Sequence, residues 1–192
     1  MITRPFLLAL LMLGLHPVIA SSTAEAESFL KNAVSQVVTV AKNAPDGASL
    51  ANQLKPLLEK SINFDAMTRR AVGPGWRQFT NDQQVQAIRL FTTLVIRSYS
   101  GKFTPGELPS VDFKSAQSPA PSRVEVDTVT IYKGSNYDVL YRLELLGAKG
   151  WLITDIVIEG VSMVANYRSQ FDARFKAGGA EGVIGSLEKS TR

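Results

Sequence analysis

Residues 151–171, WLITDIVIEGVSMVANYRSQF, contain the change of period that decides the fold. From Trp151 to Ile158 a two-residue repeat puts Trp151, Ile153, Asp155 and Val157 on one face and Leu152, Thr154, Ile156 and Ile158 on the other. A strand apolar on both faces is covered on both. Gly160 then permits a backbone turn that a side chain would hinder. Beyond it Val164, Tyr167, Phe171 and Phe175 recur at helical spacing, with Asn166, Arg168, Ser169 and Asp172 between them. The chain therefore runs from a covered strand into an amphipathic helix that can supply one of the covers. The polar residues here have structural roles to fill. Asp155, on the same face as Trp151 and Ile153, requires a partner, for which Arg168 and Arg97 are the candidates. Ser162 fits the N-cap of the helix. Arg168 can meet a phosphate or simply lie on the exposed helix face.

Upstream, period two continues. Val111, Phe113 and Ser115 alternate with Asp112 and Lys114. Val124, Val126 and Thr128 alternate with Glu125 and Asp127. Val139, Tyr141, Leu143 and Leu145 oppose Asp138, Arg142 and Glu144. The breaks at 119–121, 133–136 and 147–150 are rich in Pro, Gly, Ser and Asn, so four strands joined by three short turns form an antiparallel meander. The first half is helical. A stripe of Leu30, Val34 (or Ala33), Val37 and Ala41 predicts a helix from Glu25 to Lys42, and Leu50, Leu54, Leu57 and Leu58 a second from about Ser49 to Lys60, with Pro56 placing its first part in question. Asp65 is a candidate cap for a short helix from Ala66 to Val72. Thr80 with Gln83 forms a capping-box pattern opening a long helix to about Phe103, with Ile88, Phe91, Leu94, Val95 and Tyr99 inward. Thr104-Pro105-Gly106 terminates it. Two last helices, Ser162 to Lys176 and Glu181 to Lys189, are separated by Gly178-Gly179. The fold class is α+β: helices, a curved four-stranded sheet, then helices returning over it.

At 192 residues, 45% hydrophobic and 20% charged, the composition is that of a globular protein. The first segment is not part of the fold. Arg4 supplies a positive start, Phe6 to Leu15 an apolar run too short to span a bilayer, and Val18-Ile19-Ala20 a small-residue exit. Residues 1–20 thus read as a cleaved signal peptide, with an alternative end at residue 26, leaving 27–192 as one domain. The chain has no Cys, and its single His, His16, leaves with the signal. Ser-His-Asp and Cys-His nucleophiles, His bases and ordinary zinc sites are excluded. No catalytic residue, metal or cofactor is expected. An exported chain without disulfides suits a bacterial periplasm. The net charge of +4 falls to +3 once Arg4 leaves, and the basic residues are scattered, unlike a nucleic-acid footprint.

Phe64-Asp65-Ala66-Met67, Val72-Gly73, Trp76-Arg77, Thr80, Gln83, Phe91 and Tyr99 resemble the first half of the MlaC family. Trp151, Asp155, Glu159-Gly160-Val161-Ser162, Asn166-Tyr167-Arg168 and Gln170-Phe171 resemble its most specific block, and the run from Gly178 to Leu187 its closing helix. The resemblance covers nearly the whole mature chain. It implies helices packed on a curved antiparallel sheet of NTF2-like or cystatin-like shape. It also implies a periplasmic carrier for a diacyl phospholipid, tails buried and head group outside. The implied partners are an outer-membrane lipoprotein complex and an inner-membrane ABC transporter with an MCE-domain ring. The implied role is maintenance of outer-membrane lipid asymmetry, with toluene tolerance associated. A hopanoid-associated branch of the same family is an alternative.

Physical chemistry agrees with a carrier. Two acyl chains of roughly 30 methylenes at ~0.8 kcal/mol each cost on the order of 20 kcal/mol to expose, so a soluble carrier needs a comparable apolar interior. The candidate lining is Val126, Val139, Tyr141, Leu143, Trp151 and Ile153 on the strands, Phe91, Leu94, Val95 and Tyr99 on the long helix, and Val164, Tyr167 and Phe171 on the returning one. Ordinary core packing would give the same periodicity. Two other functions compete: an NTF2-like enzyme pairing Asp155 with Tyr141 or Tyr167, and an adaptor with a filled core.

Overall fold

The computed structural model describes residues 17–101 and 107–191. The signal-peptide residues Arg4 and Phe6 to Leu15, His16 and the Thr104-Pro105-Gly106 terminator lie outside them. Five helices and five strands follow in chain order: α1 (Pro17–Asn43), α2 (Gly47–Ser61), α3 (Phe64–Val72), α4 (Asn81–Ser100), β1 (Ser110–Ala120), β2 (Arg123–Tyr132), β3 (Ser135–Leu145), β4 (Trp151–Ile158), β5 (Val161–Ser162) and α5 (Met163–Thr191). The strands form one antiparallel sheet in sequence order, the expected meander plus one short strand. β5 has only two residues, too few to show a period. The turn Glu159-Gly160 folds it back onto Val157 and Ile158, both turn residues taking positive φ.

Local chemistry sets most boundaries. Thr80 and Gln83 close the capping box on α4. Asp46 caps α2 by accepting from the Ser49 amide, and α2 passes through Pro56 unbroken. α3 begins two residues earlier than Asp65 would place it. Asn63 is the cap, accepting from Ala66, and Asp65 sits in the first turn and pairs with Arg69. α1 extends further toward the N-terminus than Glu25, back to Pro17. α5 breaks at Gly178-Gly179 as expected, where neither glycine is helical.

Packing orders these elements around one face of the sheet. The link between α2 and α3 lies along β4, where the Asn63 amide donates to the Ile153 carbonyl at 2.8 Å. α3 and the 3-10 turn Gly73–Gln78 pack on α5: the Gly75 backbone lies against the Phe175 ring, too close for any side chain, and Phe175 stacks on Phe79. α4 holds the second half of α5, with Gln83 and Gln86 donating to Glu181 and Glu188. α1 lays Ala26 and Leu30 into the main core, and its lower stripe, Val37 and Ala41, packs with Ala44, Leu50 and Leu54 in a separate small cluster.

Of three register shifts among the described strands, the one in β4 and the first in β1 correct the strand faces. β3 pairs Leu143 with Ile153 and Arg142 with Asp155, so Thr154 is an extra residue in β4. Its buried hydroxyl donates to the Arg142 carbonyl. After the bulge the faces exchange. Trp151 and Ile153 stay with Ile156 and Ile158, while Asp155 and Val157 turn to the opposite side. β1 does the same at Lys114, where Phe113 pairs with Thr128 but Ser115 with Asp127. Ser115 therefore leaves the face of Phe113, and Ala116 joins it.

Candidate functional site: an apolar sheet face closed by two helices

The register assembles the inner face row by row. Phe113, Thr128, Val139 and Ile158 form one row; Ala116, Val126, Tyr141 and Ile156 the next; then Val124, Leu143 and Ile153; and last Leu145 and Trp151. Only Thr128 and Tyr141 carry polar atoms among the first three rows. Thr128 spends its hydroxyl on the Val139 carbonyl at 2.9 Å.

Helices α4 and α5 bring an aromatic cluster into the same core as these rows, while α1 lies against β1 and β2. The Phe91 ring meets Tyr167 edge-on at 4.9 Å and Phe171 at 5.8 Å, and Tyr167 stacks on Phe171 at 5.8 Å. Of the lining predicted from sequence, Phe91, Val95, Val126, Leu143, Trp151, Ile153, Tyr167 and Phe171 are buried in the main core cluster. Leu94, Tyr99, Tyr141 and Val164 pack against it half-buried. Val139 is buried but stands outside that cluster. Sequence reasoning left out Leu90, Ile96, Val124 and Met163, all in the same cluster. Val124 was legible from its period; Leu90 and Ile96 flank the predicted stripe because α4 is covered over a wider arc than one row of residues.

The phenols inside are held neutral. Burial pushes Tyr141 up to about 12. Burial raises Tyr99 as well, with Tyr167 adding to it, and burial raises Tyr167 against a bond to Ser98. None is a base at neutral pH.

Asp155 is organised differently. Its Oδ1 accepts from the amides of Ile156 (2.9 Å) and Val164 (3.1 Å); its Oδ2 accepts from the Ser162 hydroxyl (2.6 Å) and Arg142 Nη1 (3.1 Å). Arg142 also donates to Glu125 at 2.9 Å, and Glu125 first, then Asp155, hold its guanidinium more firmly protonated. Four elements are tied by one carboxylate: β2 through Glu125, β3 through Arg142, β4, and the start of α5. A carboxylate at a helix N-terminus is also favoured by the helix dipole. Ser162 is the predicted N-cap, accepting from the Ala165 amide at 3.0 Å. Neither expected arginine partners Asp155. Arg168 donates to the Arg70 carbonyl at the end of α3, and Arg97 to the Thr191 carbonyl. Neither tyrosine weighed for acid–base chemistry is among the partners of Asp155: Tyr141 points inward from β3 while Arg142, with Asp155, points to the other face, and Tyr167 bonds to Ser98.

A surface groove of about 490 Å³ lies between α2, α3, α4 and β4, with Ile62, Phe64, Ile88 and Leu152 below and Lys60, Asp65 and Lys149 among its rim residues. Among the described residues no group of His, Cys, Asp and Glu could hold a metal ion, and no helix is long and apolar enough to cross a membrane.

Residues 30–189 match the sequence model of a family described as MlaC protein. A solved structure, described as the phospholipid-binding protein from Ralstonia solanacearum in complex with a phospholipid, is similar in fold with a TM-score of 0.80. It shares 26% sequence identity, and the similarity covers 87% of this chain and 97% of that one. No curated protein matches the chain.

Proposed function

Because the chain belongs to the MlaC family, we propose that it is a periplasmic carrier of diacyl phospholipid. The observation that carries this reading is the apolar inner face, sharing one core with α1, α4 and α5, in a chain similar over most of its length to a protein described with a bound phospholipid. The lipid tails lie between the inner rows of β2–β4 and the Phe91, Tyr167 and Phe171 side of the helices, and the head group stays in water. The rings that interlock there part to admit the chains. Val126, Val139, Tyr141, Leu143, Ile153, Leu94, Val95, Tyr99 and Val164 line the remainder.

In the cell, the carrier takes lipid between an outer-membrane lipoprotein complex and an inner-membrane ABC transporter with an MCE-domain ring, and so maintains the asymmetry of the outer membrane. The signal peptide directs export and is removed. The complete burial of Ala26 in the main core favours cleavage after Ala20 over the exit at residue 26, which would remove a core residue. The rival enzyme reading lacks its base: Asp155 has its two oxygens engaged by four donors.

Native mass spectrometry of mature protein purified without added lipid tests the proposal. The expected result is a diacyl phospholipid at about one per chain, by the capacity of a single apolar site. A hopanoid in its place replaces the ligand but keeps the carrier. A chain that neither carries lipid nor takes it up from vesicles is the adaptor with a filled core, and the proposal falls.

A further inference from the structure

Buried polar groups in this chain are nearly all paired. Thr68 donates to Phe64, Thr128 to Val139 and Thr154 to Arg142, and Asp155 receives four donors. One is not. Trp151 is 6% exposed, and its indole Nε1–H is the buried side-chain polar atom that meets no acceptor among the described residues. A buried donor left unmet is costly, and native structures rarely retain one without a use.

Its place suggests the use. Trp151 opens β4 and belongs to the last inner row, opposite Leu145, which is 39% exposed. The next row inward is Val124, Leu143 and Ile153, wholly apolar and buried. The donor therefore stands where the apolar interior gives way to the rim. In a diacyl lipid that boundary is occupied by the glycerol esters, whose carbonyl oxygens accept hydrogen bonds and lose water on entry. The acyl chains offer no acceptor, and the phosphate is wet.

We infer that the Trp151 indole N–H donates to an ester carbonyl of the bound lipid, and so fixes the depth to which the tails enter and selects ester lipids over those without a carbonyl. This rests on the carrier function above and adds the chemical group recognised.

The test compares uptake by delipidated mature protein of a diacyl phosphatidylglycerol and its dialkyl ether analogue of matched chain length, offered together and weighed by native mass spectrometry. The ether keeps head group and tails but lacks both carbonyls. One hydrogen bond of ordinary strength predicts a preference of about five-fold for the ester. In Trp151→Phe, checked for folding by its melting transition, the two lipids should bind alike. Equal uptake by the wild-type protein overturns the inference, as does a preference that survives in folded Trp151→Phe. Should that variant not fold, the wild-type ratio decides alone. A protein that takes up neither lipid overturns the carrier reading as well, whereas equal uptake of both leaves that reading standing.

Discussion

β4 carries two different kinds of order on either side of one extra residue. Before Thr154, Trp151 and Ile153 join the inner rows, where, the Trp151 indole N–H apart, packing is apolar and undirected. After it, Asp155 is fixed by four directional bonds, none of which a different side chain can reproduce as a set. The inner face can deform to take a ligand because dispersion is undirected. The Asp155 hub cannot, and it holds β3, β4 and the start of α5 together while the interior changes. On the proposed function, assembly and binding fall on opposite faces of the same strand.

The comparison breaks if damage to the hub spares stability. Asp155→Ala removes the acceptor of two amides, a hydroxyl and a guanidinium in a nearly buried site, and should cost about 4 kcal/mol. Asp155→Asn should cost less, since one oxygen can still serve both amides. Urea unfolding measures the loss, and native mass spectrometry of the folded fraction should show undiminished lipid per chain. Lipid lost in proportion to lost affinity, with stability intact, would place Asp155 in the binding site instead.

On the inner face the expectation is the reverse. Leu143 is 1% exposed, and Leu143→Ala should cost about 3 kcal/mol in delipidated protein through transfer and cavity terms. Bound acyl chains can occupy the space, so the loss should shrink in lipid-loaded protein. Thermal unfolding of both forms reads the difference. An equal loss in the two would mean that Leu143 packs in the core beyond the reach of the tails.

How far the sequence reveals this division depends on the range of the signal. The periods of β2 and β3 give the inner rows, and those of α4 and α5 bring Phe91, Tyr167 and Phe171 to them, because each period is local to its own element. The bulge at Thr154 is not local. The run from Trp151 to Ile158 is apolar on both faces, so a shift by one residue leaves the hydrophobic pattern intelligible either way, and only pairing with Arg142 and Leu143 fixes the face of Asp155. That is also why Arg142 escapes as its partner: the two meet across strands, and read by period alone Asp155 shares the face of Trp151. Arg168 belongs instead to the seam between α3 and α5.

That seam offers a sharper contrast with the inner face, since its constraint lies in the backbone. Gly73 ends α3 at φ 71° and ψ −142°, a region almost closed to other residues, and an added Cβ would lie 2.6 Å from Arg168 Cζ. The guanidinium is the end of a flexible, exposed side chain and can move aside, so the backbone carries the cost. Gly73→Ala should lose about 2 kcal/mol, and adding Arg168→Ala should recover none of it. Recovery in the double variant, measured by urea unfolding, would assign the cost to the Arg168 contact.

The smallest effect tests whether the inner face is apolar enough to govern a proton. Burial raises the Tyr141 phenol from its ordinary 10.0 to about 12. The folded state therefore favours the neutral phenol relative to the unfolded chain. Its contribution is fully present below pH 10 and is lost as pH rises from there through the folded value near 12. At pH 11, one unit into that window, the wild-type protein should have lost about 1 kcal/mol that Tyr141→Phe does not lose. The variant is needed because Tyr99 and Tyr167 shift in the same direction. Urea unfolding of both proteins at pH 9 and 11 isolates the difference. A phenol exposed to water in the lipid-free state would titrate equally in folded and unfolded chains, and the two proteins would then weaken in parallel. Lipid loading should widen the gap, since acyl chains beside Tyr141 exclude water further, whereas the Asp155 side of the strand, paired on the opposite face, should not respond to loading.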